Sequence, residues 1–177
     1  MGPVATRTLR GALAGAAAAG VWAAQQPLDK QVFGSDYDDV ELLGKFVTTE
    51  SSWLPIGLAM HLQNGALFGA AYANVAASLP VPAPTRGPLA GIGEHLATWP
   101  AGRIVDRVHP ARRQIPGLAG NRRAFWQSFW RHALFGFVLG ELERRLNRDD
   151  EPPQADLDAV VASNGHGSLE DAVLVRP

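Results

Sequence analysis

The chain contains no cysteine. That excludes a disulfide framework, a thiol nucleophile and any cysteine-ligated zinc or iron–sulfur site. It also lacks an excess of charge of either sign: sixteen basic and seventeen acidic side chains leave a net charge of −1. A general nucleic-acid binder carries a basic excess, so nucleic acid is not an expected partner. The motifs His-Glu-x-x-His, Gly-x-Ser-x-Gly, the Walker phosphate loop and the dinucleotide fingerprint are missing as well. No catalytic residue, cofactor or metal site is therefore read from the sequence, and the expectation is a protein that is not an enzyme.

What is present is a series of long stretches nearly free of charge. Residues 11–28 contain no Asp, Glu, Lys or Arg, and neither do residues 51–85. Residues 87–102 are interrupted only by Glu94, and residues 124–140 only by Arg131. A bilayer span takes about 17–25 mostly apolar residues. These stretches predict an all-α fold, a bundle of four transmembrane helices at about 9–27, 54–79, 87–105 and 123–145. In the fourth, Phe125, Trp126, Phe129, Trp130, Phe135 and Phe137 surround the helix, whereas a soluble surface helix shows one apolar stripe. Each segment also has two glycines four apart: Gly11 and Gly15, Gly65 and Gly69, Gly87 and Gly91, Gly136 and Gly140. Such pairs let helix backbones approach closely, which is what holds helices together in lipid. Two other readings stay open. One is a soluble, alanine-rich helical protein. The other makes the first segment a signal peptide, with Arg7 and Arg10 ahead of an apolar run.

Short words recur in order along the chain. Arg10-Gly11-Ala12-Leu13-Ala14-Gly15 returns as Arg86-Gly87-Pro88-Leu89-Ala90-Gly91, and Ala66-Leu67-Phe68-Gly69 as Ala133-Leu134-Phe135-Gly136. Trp22 precedes Asp29 by seven residues, as Trp99 precedes Asp106. This suggests two parallel helix–loop–helix repeats, about 7–79 and 84–146, within a membrane-embedded bundle at 1–148. Residues 29–50 read as an acidic, solvated loop; the Asp-x-Asp there does not continue into a calcium loop. Residues 103–122 read as a basic loop, with His109-Pro110 as a turn, and residues 149–177 as a disordered polar tail containing a solvated His166. Basic residues are nearly balanced between the two sides, and the charged tail with Arg144-Arg145 favours cytoplasmic termini in a multi-pass cell-membrane protein. The expected partners are the lipid bilayer and a second copy or another membrane protein.

Five polar residues stand out within the apolar stretches. At 1.5 Å per residue, His61, Glu94, His95, Arg131 and His132 all lie roughly 10–14 Å into their segments. Helices entering from opposite faces would bring them together. Glu94 and Arg131 are the expected ion pair, with the histidines around it. An ionisable group inside a membrane is a candidate functional site, here a proton or ion pathway, though a purely structural pair fits equally.

Gly11-Ala12-Leu13-Ala14-Gly15-Ala16-Ala17, the following Gln26-Pro27-Leu28, and His132 ahead of Glu141-Leu142-Glu143-Arg144-Arg145-Leu146 resemble the YagU-like four-helix bacterial inner-membrane proteins. The resemblance covers about residues 8–148. It implies an uncharacterised inner-membrane protein with a link to acid or envelope stress, and it carries over no catalytic residue.

Overall fold

A computed structural model describes residues 2–148, and all of the regular structure among them is helical. The tail readings, His166 included, lie outside the described residues. Helix α1 runs over Pro3–Phe33, α2 over Asp39–Val47, α3 over Trp53–Val75, α4 over Ala83–Thr98, α5 over Gly102–Val108 and α6 over Arg122–Leu146. Single 3₁₀ turns at Ala76–Ser78 and Trp99–Ala101 follow α3 and α4. Among the described residues no helix is long and apolar enough to qualify as a membrane span on hydropathy.

Local chemistry explains the ends. Pro3 opens α1 where its missing N–H costs nothing. Gly34 closes that helix in the left-handed region at φ 56°, its N–H donating to the Lys30 carbonyl. Asp38 caps α2 by accepting from the Glu41 N–H at 2.9 Å, and Asn121 caps α6 by accepting from the Ala124 N–H at 3.1 Å.

Two expected boundaries are corrected. The stretch 87–105 is not one helix: Pro100 sits in the 3₁₀ turn, and the chain restarts as α5. The acidic segment 29–50 is not a solvated loop. Asp29 and Lys30 belong to α1, residues 39–47 form α2, and Asp29 is only 2% exposed. His109 is likewise more than a turn. It is buried, its Nε2–H donates to the Leu42 carbonyl at 2.9 Å, and its Nδ1 accepts from the Ala111 N–H at 3.1 Å.

The long helices pack through their glycines. A side chain on Gly11 would strike Gly69 and Ala73, and one on Gly15 would strike Gly65 and Gly69, which joins α1 to α3. In the same way Gly87 faces Gly136 and Gly140, and Gly91 faces the His132 backbone and Gly136, which joins α4 to α6. A third crossing that the spacing did not reveal sets Gly44 of α2 against Trp53, and Gly57 of α3 against Val40. These glycine faces are therefore occupied by contacts inside the chain. Helices α1 and α6 pack on each other between the two pairs. Their contact buries Trp22, Phe135 and Leu139 beside Ala14, Ala18 and Ala19.

Along the middle of the long helices the surface is poor in charge. The exposed positions of residues 9–28, 54–75, 87–98 and 124–143 include no charged side chain. They carry Leu13, Val21, Leu67, Leu89, Trp130 and Phe137 instead. The fully buried side chains include Arg131, His95, Gln127 and Ser128.

Candidate functional site

Helix α1 continues its inward stripe past the glycines. Gly11, Gly15, Ala18, Trp22, Gln26 and Asp29 follow one another at three- and four-residue steps, and all are buried. On α6 the matching stripe carries Gln127 and Arg131, four apart. The two stripes meet. Arg131, with no exposure at all, grips Asp29 in a fork. Its Nε donates to Oδ2 and its Nη2 to Oδ1, both at 2.6 Å. Its Nη1 donates to Asp39 Oδ2 at 2.7 Å, and Nη2 also donates to the Tyr37 carbonyl at 3.0 Å. The Gln127 amide donates to Asp29 Oδ1 at 2.7 Å. Asp39 further accepts from Tyr37 Oη at 2.6 Å and from Trp22 Nε1 at 3.2 Å.

Burial by itself would raise the Asp39 carboxyl. The Arg131 charge and the Tyr37 hydroxyl outweigh it, and the carboxyl lies below its ordinary value. Burial, followed by the Asp39 charge, pushes the Tyr37 hydroxyl well above its own. A buried guanidinium that makes four hydrogen bonds to two carboxylates and a carbonyl has its loss of hydration largely matched by direct contacts.

The expected partnership of Glu94 with Arg131 is thus corrected: the guanidinium is filled by Asp29 and Asp39. Glu94 pairs with His132, whose Nε2–H donates to Oε2 at 2.6 Å. The Nδ1–H of His132 donates to the Ser128 carbonyl at 2.7 Å. Both ring nitrogens face acceptors, so the ring carries both protons and is an imidazolium against the Glu94 carboxylate. The Ser128 hydroxyl lies 3.2 Å from His95 Nδ1 and 3.3 Å from His132 Nδ1, linking the two rings. Trp22 stands edge-on to His61 and His132, with ring centroids 5.1 and 4.6 Å away.

Four of the five residues singled out in the sequence, His61, Glu94, His95 and His132, line one cavity of about 360 Å³. Arg131 does not line it; it stands behind Asp39, which does. Helices α3 and α4 flank the cavity without packing closely on each other, and its exposed lining residues are Asn64, Thr98 and Ala101. Among the described residues no three His, Asp or Glu side chains are placed to hold a metal ion.

Sequence reasoning missed Asp29, Asp39, Tyr37 and Gln127. For Asp29 and Gln127 a signal existed, namely the continuation of each inward stripe. For Asp39 and Tyr37 none did, since they reach the site through the turn after α1. Comparison with family models, with curated proteins and with solved structures finds no match. The resemblance to YagU-like proteins rests on the residues quoted for it alone.

Proposed function

We propose that this chain is a multi-pass membrane protein, a four-helix bundle of two parallel repeats built from α1 with α3 and α4 with α6, and that its role in the cell envelope is structural or accessory rather than catalytic. The observation that carries the reading is the absence of charge from the exposed positions of residues 9–28, 54–75, 87–98 and 124–143. From Arg10 to Lys30 on α1 is about 30 Å at 1.5 Å per residue, close to a hydrocarbon core. Part of the low hydropathy comes from inward-facing residues such as His61, His95, Gln127, Ser128 and Arg131, whereas Gln63, Asn64, Asn74 and Thr98 are exposed. The equivalent crossings, Gly11 on Gly69 and Gly87 on Gly136, support the repeat.

The test is fractionation of the expressed full chain. The protein is expected in carbonate-washed membranes and in solution only with detergent. Recovery in the supernatant after ultracentrifugation without detergent would overturn the reading. A Leu67→Lys variant sharpens it. On a lipid-facing surface the charge costs about 2.5–3.5 kcal/mol of insertion at mid-span, and the membrane fraction falls. On a water-facing surface it is close to neutral, within about 0.5 kcal/mol.

Passage of protons is a second reading, favoured by the hydrogen-bonded series Glu94–His132–Ser128–His95. Reconstituted protein that dissipates a pH gradient, with the flux lost in Glu94→Gln, would support passage; no dissipation between pH 5 and 8 would remove it.

A further inference from the structure

We infer that the cavity between α3 and α4 is a binding site for a small organic cation, an aromatic or aliphatic ammonium compound. The inference goes beyond the envelope role. It stands on the cavity itself, whatever solvent surrounds the bundle.

Four observations converge. The first is size: about 360 Å³ falls in the range of small-molecule sites, roughly 300–1,000 Å³. The second is the aromatic wall. Trp22, Tyr37, Phe68, Trp99 and Phe135 all face the space. Ring faces attract cations through their quadrupoles, most strongly when water is excluded.

The third is charge. Asp39 and Glu94 line the cavity, and no Lys or Arg does. Counting the groups behind the wall, the carboxylates of Asp29, Asp39 and Glu94 face the cations Arg131 and His132. The cluster is one positive charge short of neutral, and an anionic ligand would meet the wrong sign.

The fourth is the rest of the polar lining: Asn64, Thr98 and the rings of His61 and His95 stand on the cavity wall and add no fixed positive charge that would repel a cation.

Entry follows from the exposed lining. Glu94, half-buried, and Thr98, exposed, stand at the α4 side, and Asn64 at the α3 side. An approaching cation meets the Glu94 carboxylate first. It then exchanges the His132 imidazolium for itself or shares the carboxylate, before its apolar part settles against Trp22 and Trp99.

The experiment uses the purified full chain in a nonionic detergent. Three probes of similar shape are titrated: benzyltrimethylammonium, its neutral carbon isostere neopentylbenzene, and phenylacetate. Trp fluorescence and the thermal midpoint are read together. The cation is expected to saturate, to shift the emission of the cavity tryptophans and to raise the midpoint. Its affinity should exceed that of the neutral isostere at least tenfold, and phenylacetate should not bind. Glu94→Gln should weaken the cation tenfold or more. Should Glu94→Gln fail to fold, Thr98→Phe, which adds bulk at an exposed lining position, should abolish saturation. Equal affinity for cation and isostere, preferred binding of phenylacetate, or saturation unchanged in both variants would each overturn the inference. Fractionation tests the membrane reading separately, so either can fail alone.

Discussion

Two ends of one helix bundle are joined in opposite ways. From Trp22 toward the start of α1, the closest helix crossings are glycine and alanine backbone, with Tyr72, Phe135 and Leu139 packed beside them. From Trp22 toward its end, the helices meet through a guanidinium, two carboxylates, an amide and a phenol. The first kind of junction is held mainly by close contact and apolar packing. The second exists only when complete, because each charge removed strands another in a dry interior. The glycine end should therefore fail by crowding, and the ionic end by abandonment.

The largest expected effect belongs to the ionic end. Arg131→Ala leaves Asp29 buried without its partner and should cost about 3–5 kcal/mol, read as loss of the folded state in detergent-unfolding titrations. The double change Asp29→Asn with Arg131→Met should cost clearly less than Arg131→Ala alone; an equal or larger cost would mean that charge pairing is not what joins this end. Next comes crowding. Gly15→Val would drive Cβ into the Gly65 carbonyl and should cost at least the 1–3 kcal/mol typical of overpacking. Gly93, two residues after Gly91, meets nothing within 4 Å. Gly93→Ala should leave stability unchanged or raise it by up to about 1 kcal/mol through helix propensity. If both substitutions behaved alike, the glycines would not be there for close approach.

Acid should separate the two ends as well. The folded Asp39 carboxyl lies below its unfolded value, so its contribution to stability is complete above about pH 3.9. That contribution is lost as the pH falls through the lower, folded value. Asp39→Asn should remove this part of the acid sensitivity, measured as the unfolding midpoint against pH. The smallest effect is at the surface: Asp36→Asn, on an exposed residue, should stay within about 0.5 kcal/mol.

Much of this was legible in the chain. The charge-free stretches mark the long helices, and the glycine pairs mark where they cross, because close approach needs a fixed spacing on one helix face. The histidines and Glu94 were found as a group by their similar depth along the helices. The ionic end was not legible. Asp29 and Arg131 are 102 positions apart, and an aspartate beside a lysine and a turn reads as solvated until its distant partner is known. Pairing Glu94 with Arg131 was the natural assignment by depth. It failed because depth along a helix says nothing of which face a side chain takes; Arg131 lies on the face toward α1, and the neighbouring His132 takes the one toward α4.

The fork between Asp29 and Arg131 closes the first helix onto the last. While the ribosome is still making residues 30–130, the aspartate has no guanidinium to receive it, and α1 must wait with its carboxylate hydrated or shielded by a transient companion. Among the described residues, α6 thus brings the group that completes the fork, and a chain ending before it would leave the Asp29 carboxylate without its guanidinium.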